Sequence, residues 1–406
     1  MPELAPAAPA LTRRDYMLLG AGSFALFLFC ALFAKTLTGH ESVVAQNSRE
    51  MLAVGDWLVP RVGGEPWLER PPVSAWAICA VYAVAGTSAN DAVARLAAVL
   101  VAVPVVLLVA GTAARLYGRP TGLAAGALFA TMHEFYAYAS NPEADIFLCL
   151  IVTAAVAAFA HLEFGPRAAR AGECGSFVGP RPAAVLWFFA LIGATNLAKG
   201  VIFGTVMAGL PVAGYLLWNR SWGQTKRYVW LWGWLAAAAV ALAWPATVVS
   251  QYPDLLTLWR EHYFNRLNKG YLREPWWYYA VNVPFVLLPW AVPALVGLWQ
   301  SRKAALAGPG PERFLWCWAV LPPLVFSLSD GKHHHYLLQC MAPWAVLAAR
   351  GAGPVWAFGR AHVPVWVRNP WLWAALAAAA GGLAAGRRPQ AGAPEWVAAA
   401  ALAALA

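Results

Sequence analysis

Long apolar runs, broken by short polar segments, set the pattern of this chain. The first run covers residues 17–34, behind a polar lead that carries Arg13 and Arg14. No small-residue cleavage site follows it, and it is long enough to span a bilayer. It therefore reads as a membrane helix rather than a removable leader. Further spans are predicted near 91–114, 121–139, 145–163, 183–197, 200–218, 228–249, 276–299, 314–328, 336–350, 370–386 and 392–406. The expected fold is all-α: a polytopic membrane protein of about 12 transmembrane helices, one unit over residues 1–406. The last two runs are Ala-rich and weakly apolar. The chain stops inside AALAALA with no polar tail, as a truncated chain would.

The longest polar interruption is HESVVAQNSREMLAVGDWLVPRVGGEPWLERPP, residues 40–72. Charge hung between membrane helices needs a reason, and this stretch holds His40, Glu41, Arg49, Glu50, Glu69 and Arg70. Gly55 can close a helix over 42–54, with His40 and Glu41 at its start. Pro71 and Pro72 suit the first turn of a surface-lying helix over 73–85. Together these make a large first outer loop of about 37–90.

Composition agrees with a membrane chain. It is 61% hydrophobic and 12% charged, against about 45–50% and about 25% in soluble domains. Six cysteines without CxxC spacing argue against a disulfide framework or a cysteine-held zinc. The 23 tryptophans fit bilayer interfaces. With the N-terminus in the cytoplasm, 16 of the 29 Lys and Arg fall on inner segments with only 5 of the 19 acids. The positive-inside rule favours that orientation. The same bias accounts for the net charge of +10, so nucleic acid is not a partner it calls for.

Function is therefore expected on the outer face, where six of the eight histidines lie. Glu41 either caps its helix or acts as an acid or base. Asp145, in NPEADIFLCL, opens a span where the helix dipole favours an acid, and acids at membrane depth are functional candidates. Glu143 is nearer water, and Glu134 is either a site residue or a solvated end. Lys199, in NLAKGVIFG, either snorkels to the interface or meets a phosphate. Residues 260–279 place Arg260, His262, Arg266, Lys269 and Arg273 outside, against the inner bias, which fits an anionic lipid phosphate or anionic headgroups. SLSDGKHHHYLL offers Lys332 and the triplet His333, His334 and His335. Consecutive side chains on a helix point different ways, which argues against a three-histidine metal site.

The pattern resembles the GT-C glycosyltransferases, nearest the aminoarabinose lipid A transferases and the protein mannosyltransferase superfamily. The resemblance rests on the 40–72 stretch, NLAKG, EHYFNR followed by PWWYY, and HYLL, in order over about 15–350. It implies sugar transfer from a polyprenyl-phosphate carrier to a lipid (lipid A-like) or protein acceptor on the outer face of the inner membrane. Residue by residue, Glu41 resembles the second acid of a catalytic pair and Asp145 the acid opening a later span. Arg70 resembles a base that meets the carrier phosphate. Glu69 and His262 resemble ligands of a divalent metal, zinc or magnesium. Lys199, Arg266, Lys332 and His335 fall at positions near the phosphate or cavity. The chain departs from the family where His40 replaces the first acid, and where Val43 and Gln46 replace polar positions.

On this reading Glu41 is the base, with His40 as substitute, and Asp145 orients donor or acceptor. Arg70, Lys199 and Lys332 converge on one cavity, and Glu69 approaches His262. A lipid-linked sugar transporter or flippase, and a catalytically retired relative, remain as alternatives. The transporter does not explain the large acidic first outer loop, and the retired relative is raised by His40.

Overall fold

A computed structural model describes residues 10–34, 36–37, 39–165, 182–200, 202–268 and 274–362, without the side chains of 262–268. Helix α1 (Arg13–Phe33) starts at a capping box: Asp15 N–H donates to Thr12 Oγ1, and Thr12 N–H donates back to the Asp15 carboxylate. Its 21 residues rise about 31 Å, enough to cross the hydrocarbon core. The first outer loop follows with α2 (His40–Val54), a hairpin of β1 (Arg61–Val62) and β2 (Glu65–Pro66), and α3 (Val73–Ala85).

The loop helices begin and end close to where the sequence places them. Gly55 takes φ 77° and returns its N–H to Met51 at 2.9 Å, a left-handed cap that costs a side-chain-bearing residue more. The β1–β2 strands pair antiparallel, Arg61 opposite Pro66 and Val62 opposite Glu65. Glu50 holds their turn, accepting the N–H of Gly63 at 2.7 Å and of Gly64 at 2.9 Å. These bonds from Gly64 and Gly63, with one from Gln46, hold the Glu50 carboxyl below the usual range. Arg49 donates to the Ser88 carbonyl and pairs with Asp91. Glu50 and Arg49, two of the loop's candidate chemical groups, therefore hold the loop itself.

The loop is fastened by indoles. Trp76 donates to the Trp57 carbonyl within the loop, Trp244 to Leu58, and Trp259 to Leu68, the last two at 2.8 Å. Beneath them Val59 and Leu68 bury against Trp244, Val248 and Leu255.

The remaining helices are α4 (Asp91–Tyr117), α5 (Arg119–Ala130), α6 (His133–Tyr138), α7 (Ala144–Phe164), α8 (Pro182–Ala194), α9 (Asn196–Lys199), α10 (Phe203–Asn219), α11 (Trp222–Thr225), α12 (Leu231–Gln251), α13 (Leu255–Asn268), α14 (Tyr278–Val286), α15 (Ala291–Ala307), α16 (Pro311–Phe326) and α17 (Ala342–His362). The fold is all-α and polytopic. Among the described residues five helices are long and apolar enough to cross a membrane, six if α14 and α15 count as one span bent by 115°. Several expected spans are broken instead. The run near 121–139 stops at Ala130 and restarts at His133, and the run near 336–350 opens with a 3₁₀ segment, His334–Cys340. Each break falls beside a polar residue that the site uses. The runs at 370–386 and 392–406 lie outside the described residues.

Two ends of the bundle are defined by polar ties. At one, Arg119 forms a two-point bond to Asp15, both distances 2.7 Å. At the other, Leu37 N–H donates to Asp91. Helices α15 and α17 touch backbone to backbone: a Cβ on Gly351 would lie 2.0 Å from the Pro293 carbonyl, and one on Gly297 2.0 Å from the Leu347 carbonyl. Small residues permit this approach. Gly351→Leu is expected to destabilise the protein by about 3 kcal/mol, the upper range for overpacking. Thermal unfolding in detergent checks it, and an unchanged midpoint would contradict the contact.

Candidate functional site

The polar cluster forms at the Asp91 end, where the starts of α2, α4 and α7 meet the ends of α6 and α9 and the 3₁₀ segment. Glu41 lies in the first turn of α2. Its Oε2 accepts from Arg95 Nη2 at 2.7 Å, and Arg95 Nη1 donates to the Ser140 carbonyl at 3.1 Å. Arg95 is buried in the second turn of α4, and an acid beside it neutralises a charge that apolar surroundings would not tolerate. Burial raises the Glu41 pKa above the usual carboxylate range; Arg95 opposes this without cancelling it.

Asp145 opens α7 and is 1% exposed. It pairs with Lys199, the last residue of α9, whose side chain is also buried. Gly200 follows with φ 104°, which turns the chain away directly after the lysine. The rings of Tyr336 and Phe203 lie 4.7 and 5.1 Å from the ammonium, favourable contacts for a cation. Gln339 donates to the Asp145 carbonyl at 3.2 Å.

Glu143 precedes α7. Burial and then the Asp145 charge raise its pKa, while Arg70 and Lys199 pull it down. Arg70 also acts electrostatically on Asp145 and on Lys199. Arg70, Lys199, Glu143 and Asp145 thus share one neighbourhood. Tyr138, ending α6, stands among the acids: burial first, then Asp145, Glu143, Glu134 and Glu41, push its phenol up. His335 packs its ring 5.9 Å from Tyr138. Burial and the Lys199 charge push His335 down to about 3, so it is neutral near pH 7. His334 turns the other way, to Glu134 at 2.7 Å, and that bond raises its pKa.

Of Arg70, Lys199 and Lys332, expected to converge on one cavity, Arg70 and Lys199 share a neighbourhood that His335 also adjoins. Lys332 is buried, and its ammonium donates to the Glu274 carbonyl at 2.8 Å. Lys199, expected near the carrier phosphate or cavity, holds Asp145, as a buried ammonium requires an acid beside it. His40 is exposed at the start of α2, while Glu41 faces inward. Arg266 and His262 sit on α13, but their side chains lie outside the described residues, as does any approach of His262 to Glu69. Among the described residues no three His, Cys, Asp or Glu are grouped to hold a metal. His334 turns away to Glu134, while the His333 and His335 rings stack 5.0 Å apart.

Two members of the cluster were not singled out from the sequence. Arg95 sits in DAVARLAAV, a lone base inside a span, which is itself a signal. Tyr138 carries no such signal.

A family profile described as dolichyl-phosphate-mannose-protein mannosyltransferase matches residues 69–246. The chain is 32% identical over 348 residues to the undecaprenyl phosphate-alpha-4-amino-4-deoxy-L-arabinose arabinosyl transferase of Edwardsiella ictaluri (strain 93-146), covering 81% of this chain and 59% of that protein. The transferase of the same name from Pseudomonas aeruginosa PAO1 is 30% identical, with 80% and 58% covered. The chain thus spans less than two thirds of the length of these curated relatives. The crystal structure of ArnT from Cupriavidus metallidurans bound to undecaprenyl phosphate shares the fold, with a TM-score of 0.73 at 22% identity, over 97% of this chain and 76% of that one.

Proposed function

The chain is a GT-C-fold membrane protein resembling the aminoarabinose lipid A transferases and the protein mannosyltransferase superfamily, and we propose that it is itself a glycosyltransferase. It moves a sugar from a polyprenyl-phosphate carrier to a lipid A-like or protein acceptor, on the outer face of the inner membrane. The observation that carries this reading is the cluster at one bundle end, where Glu143 and Asp145 face Arg70 and Lys199, and Glu41 lies within electrostatic reach of Glu143.

The chemistry follows from charge. Asp145 and Lys199 neutralise each other, as do Glu41 and Arg95. Among the described residues of the cluster Arg70 is the base to meet an incoming phosphodiester, and a guanidinium grips phosphate in two-point fashion. The acceptor hydroxyl gives its proton to Glu41, whose raised pKa makes it a stronger base than an exposed carboxylate. The acceptor oxygen bonds to the sugar's anomeric carbon as the carbon–oxygen bond to the phosphate breaks. That electron pair stays on the phosphate, beside Arg70. A single displacement inverts the anomeric centre. His40, exposed on the same turn, is the substitute base; Lys332 and Arg266 belong to the surrounding outer segments. A divalent ion, zinc or magnesium, would be held by Glu69 and His262 and would supply positive charge at the carrier phosphate.

A transfer assay in membranes tests the reading, using a panel of labelled polyprenyl-phosphate sugars. At least one donor is expected to pass label to lipid or protein in proportion to the amount of enzyme. Label retained on every carrier, with folded protein present, would contradict it.

A further inference from the structure

The opposite end of the bundle holds a cleft that sugar transfer does not use. Its volume is about 610 Å³, and it opens between α1, α4, α7 and α8. Its polar lining is confined to one end: Tyr16 in the first turn of α1, Thr112 and Arg115 near the end of α4, and His161 in the last turn of α7. The rest is apolar, with Leu107, Ala154, Ala157, Trp187 and Leu191 as its walls.

The cleft has the length of one leaflet. Pro104 and Arg115 both line it and lie eleven residues apart on α4, which is about 16 Å along the axis. Half the hydrocarbon core is about 15 Å. The charged end is the one carrying Arg13, Arg14 and Arg119, which the positive-inside rule assigns to the cytoplasm. Arg115 is twenty residues from Arg95 on the same helix, about 30 Å from the carboxylate cluster.

Charge selects the occupant. Among the described residues no acid lines the cleft. The one acid in the first turn of α1, Asp15, is bonded through both oxygens to Arg119. Arg115 is exposed, and among the described residues no acid pairs with it. A lone guanidinium at headgroup depth, above a groove one leaflet deep, matches a phosphate on an acyl chain. We propose that this cleft binds a glycerophospholipid of the cytoplasmic leaflet with an anionic headgroup. The phosphate lies at Arg115 and one acyl chain lies along Leu107 and Ala157.

Native mass spectrometry of the full chain tests this, with phosphatidylglycerol and phosphatidylcholine as competing probes. One basic group at the surface corresponds to about a fivefold preference for the anionic lipid. That preference is expected in the wild type, is expected to vanish in Arg115→Gln, and to return in Arg115→Lys. Ala157→Phe, which fills the groove, is expected to lower retention of both lipids. Arg115 is exposed, so its variants keep the packing intact. Equal retention of the two lipids by the wild type would overturn the proposal. So would a preference that survives Arg115→Gln.

Discussion

Glu41→Gln is expected to lower the transfer rate by about 10²–10⁴-fold, the usual contribution of general acid–base catalysis, at unchanged protein level. The amide keeps the size of the side chain and can still accept from Arg95, so the α2 start and its bond to α4 survive. What disappears is the proton acceptor. His40→Asn is expected to cost much less, because His40 is exposed while the Glu41 carboxylate is turned inward. The pH profile gives a second readout. A base must be deprotonated, so the rate falls as pH drops through the Glu41 pKa. Burial raises that pKa, so the acid limb lies above the usual carboxylate range. It is absent from the residual activity of Glu41→Gln. A full rate in Glu41→Gln with a dead His40→Asn would transfer the role to the histidine.

Lys199→Met is expected to destabilise the protein by about 3–5 kcal/mol, the cost of leaving one member of a buried ion pair uncompensated. Asp145 is 1% exposed and has its cationic partner in Lys199. Removing both charges, as in Asp145→Leu with Lys199→Met, is expected to bring stability back within about 1 kcal/mol, since apolar replacement of a buried pair is often neutral. Transfer is expected to stay lost in that double variant, because the pair sets the field at Glu143 and His335. Thermal melts and rates on the same preparations separate the two effects. A stable double variant with wild-type transfer would reduce Asp145 and Lys199 to a structural element.

Much of this arrangement was legible in the sequence, for identifiable reasons. Gly55 and Pro72 punctuate α2 and α3, so the loop helices end where turn chemistry requires. Lys199 and Asp145 were visible as charges in apolar runs. Their mutual pairing was not, because it joins residues 54 apart. Arg95 was hidden for the same reason: it reads as one base in a long span until Glu41 is seen beside it. Glu50 misled in the opposite direction, since its acceptors are satisfied by the Gly63 and Gly64 amides of a hairpin turn. The bond of Lys332 to the Glu274 carbonyl was not legible either, because a backbone partner leaves no mark on a sequence. Continuous apolar runs conceal breaks too. α5 and α6 separate at Thr131–Met132, and α14 bends from α15, where hydropathy alone sees one span each.

On the proposed function, the Glu41–Arg70–Asp145–Lys199 end of the bundle breaks the sugar–phosphate bond, rather than passing the intact lipid across the membrane. Proteoliposomes loaded with a doubly labelled polyprenyl-phosphate sugar and an acceptor on one side test it most directly. One sugar on the acceptor is expected for each polyprenyl phosphate released, with both signals lost together in Glu41→Gln and Arg70→Gln. Intact carrier appearing in the opposite leaflet, with no released phosphate and no sugar on the acceptor, would contradict it.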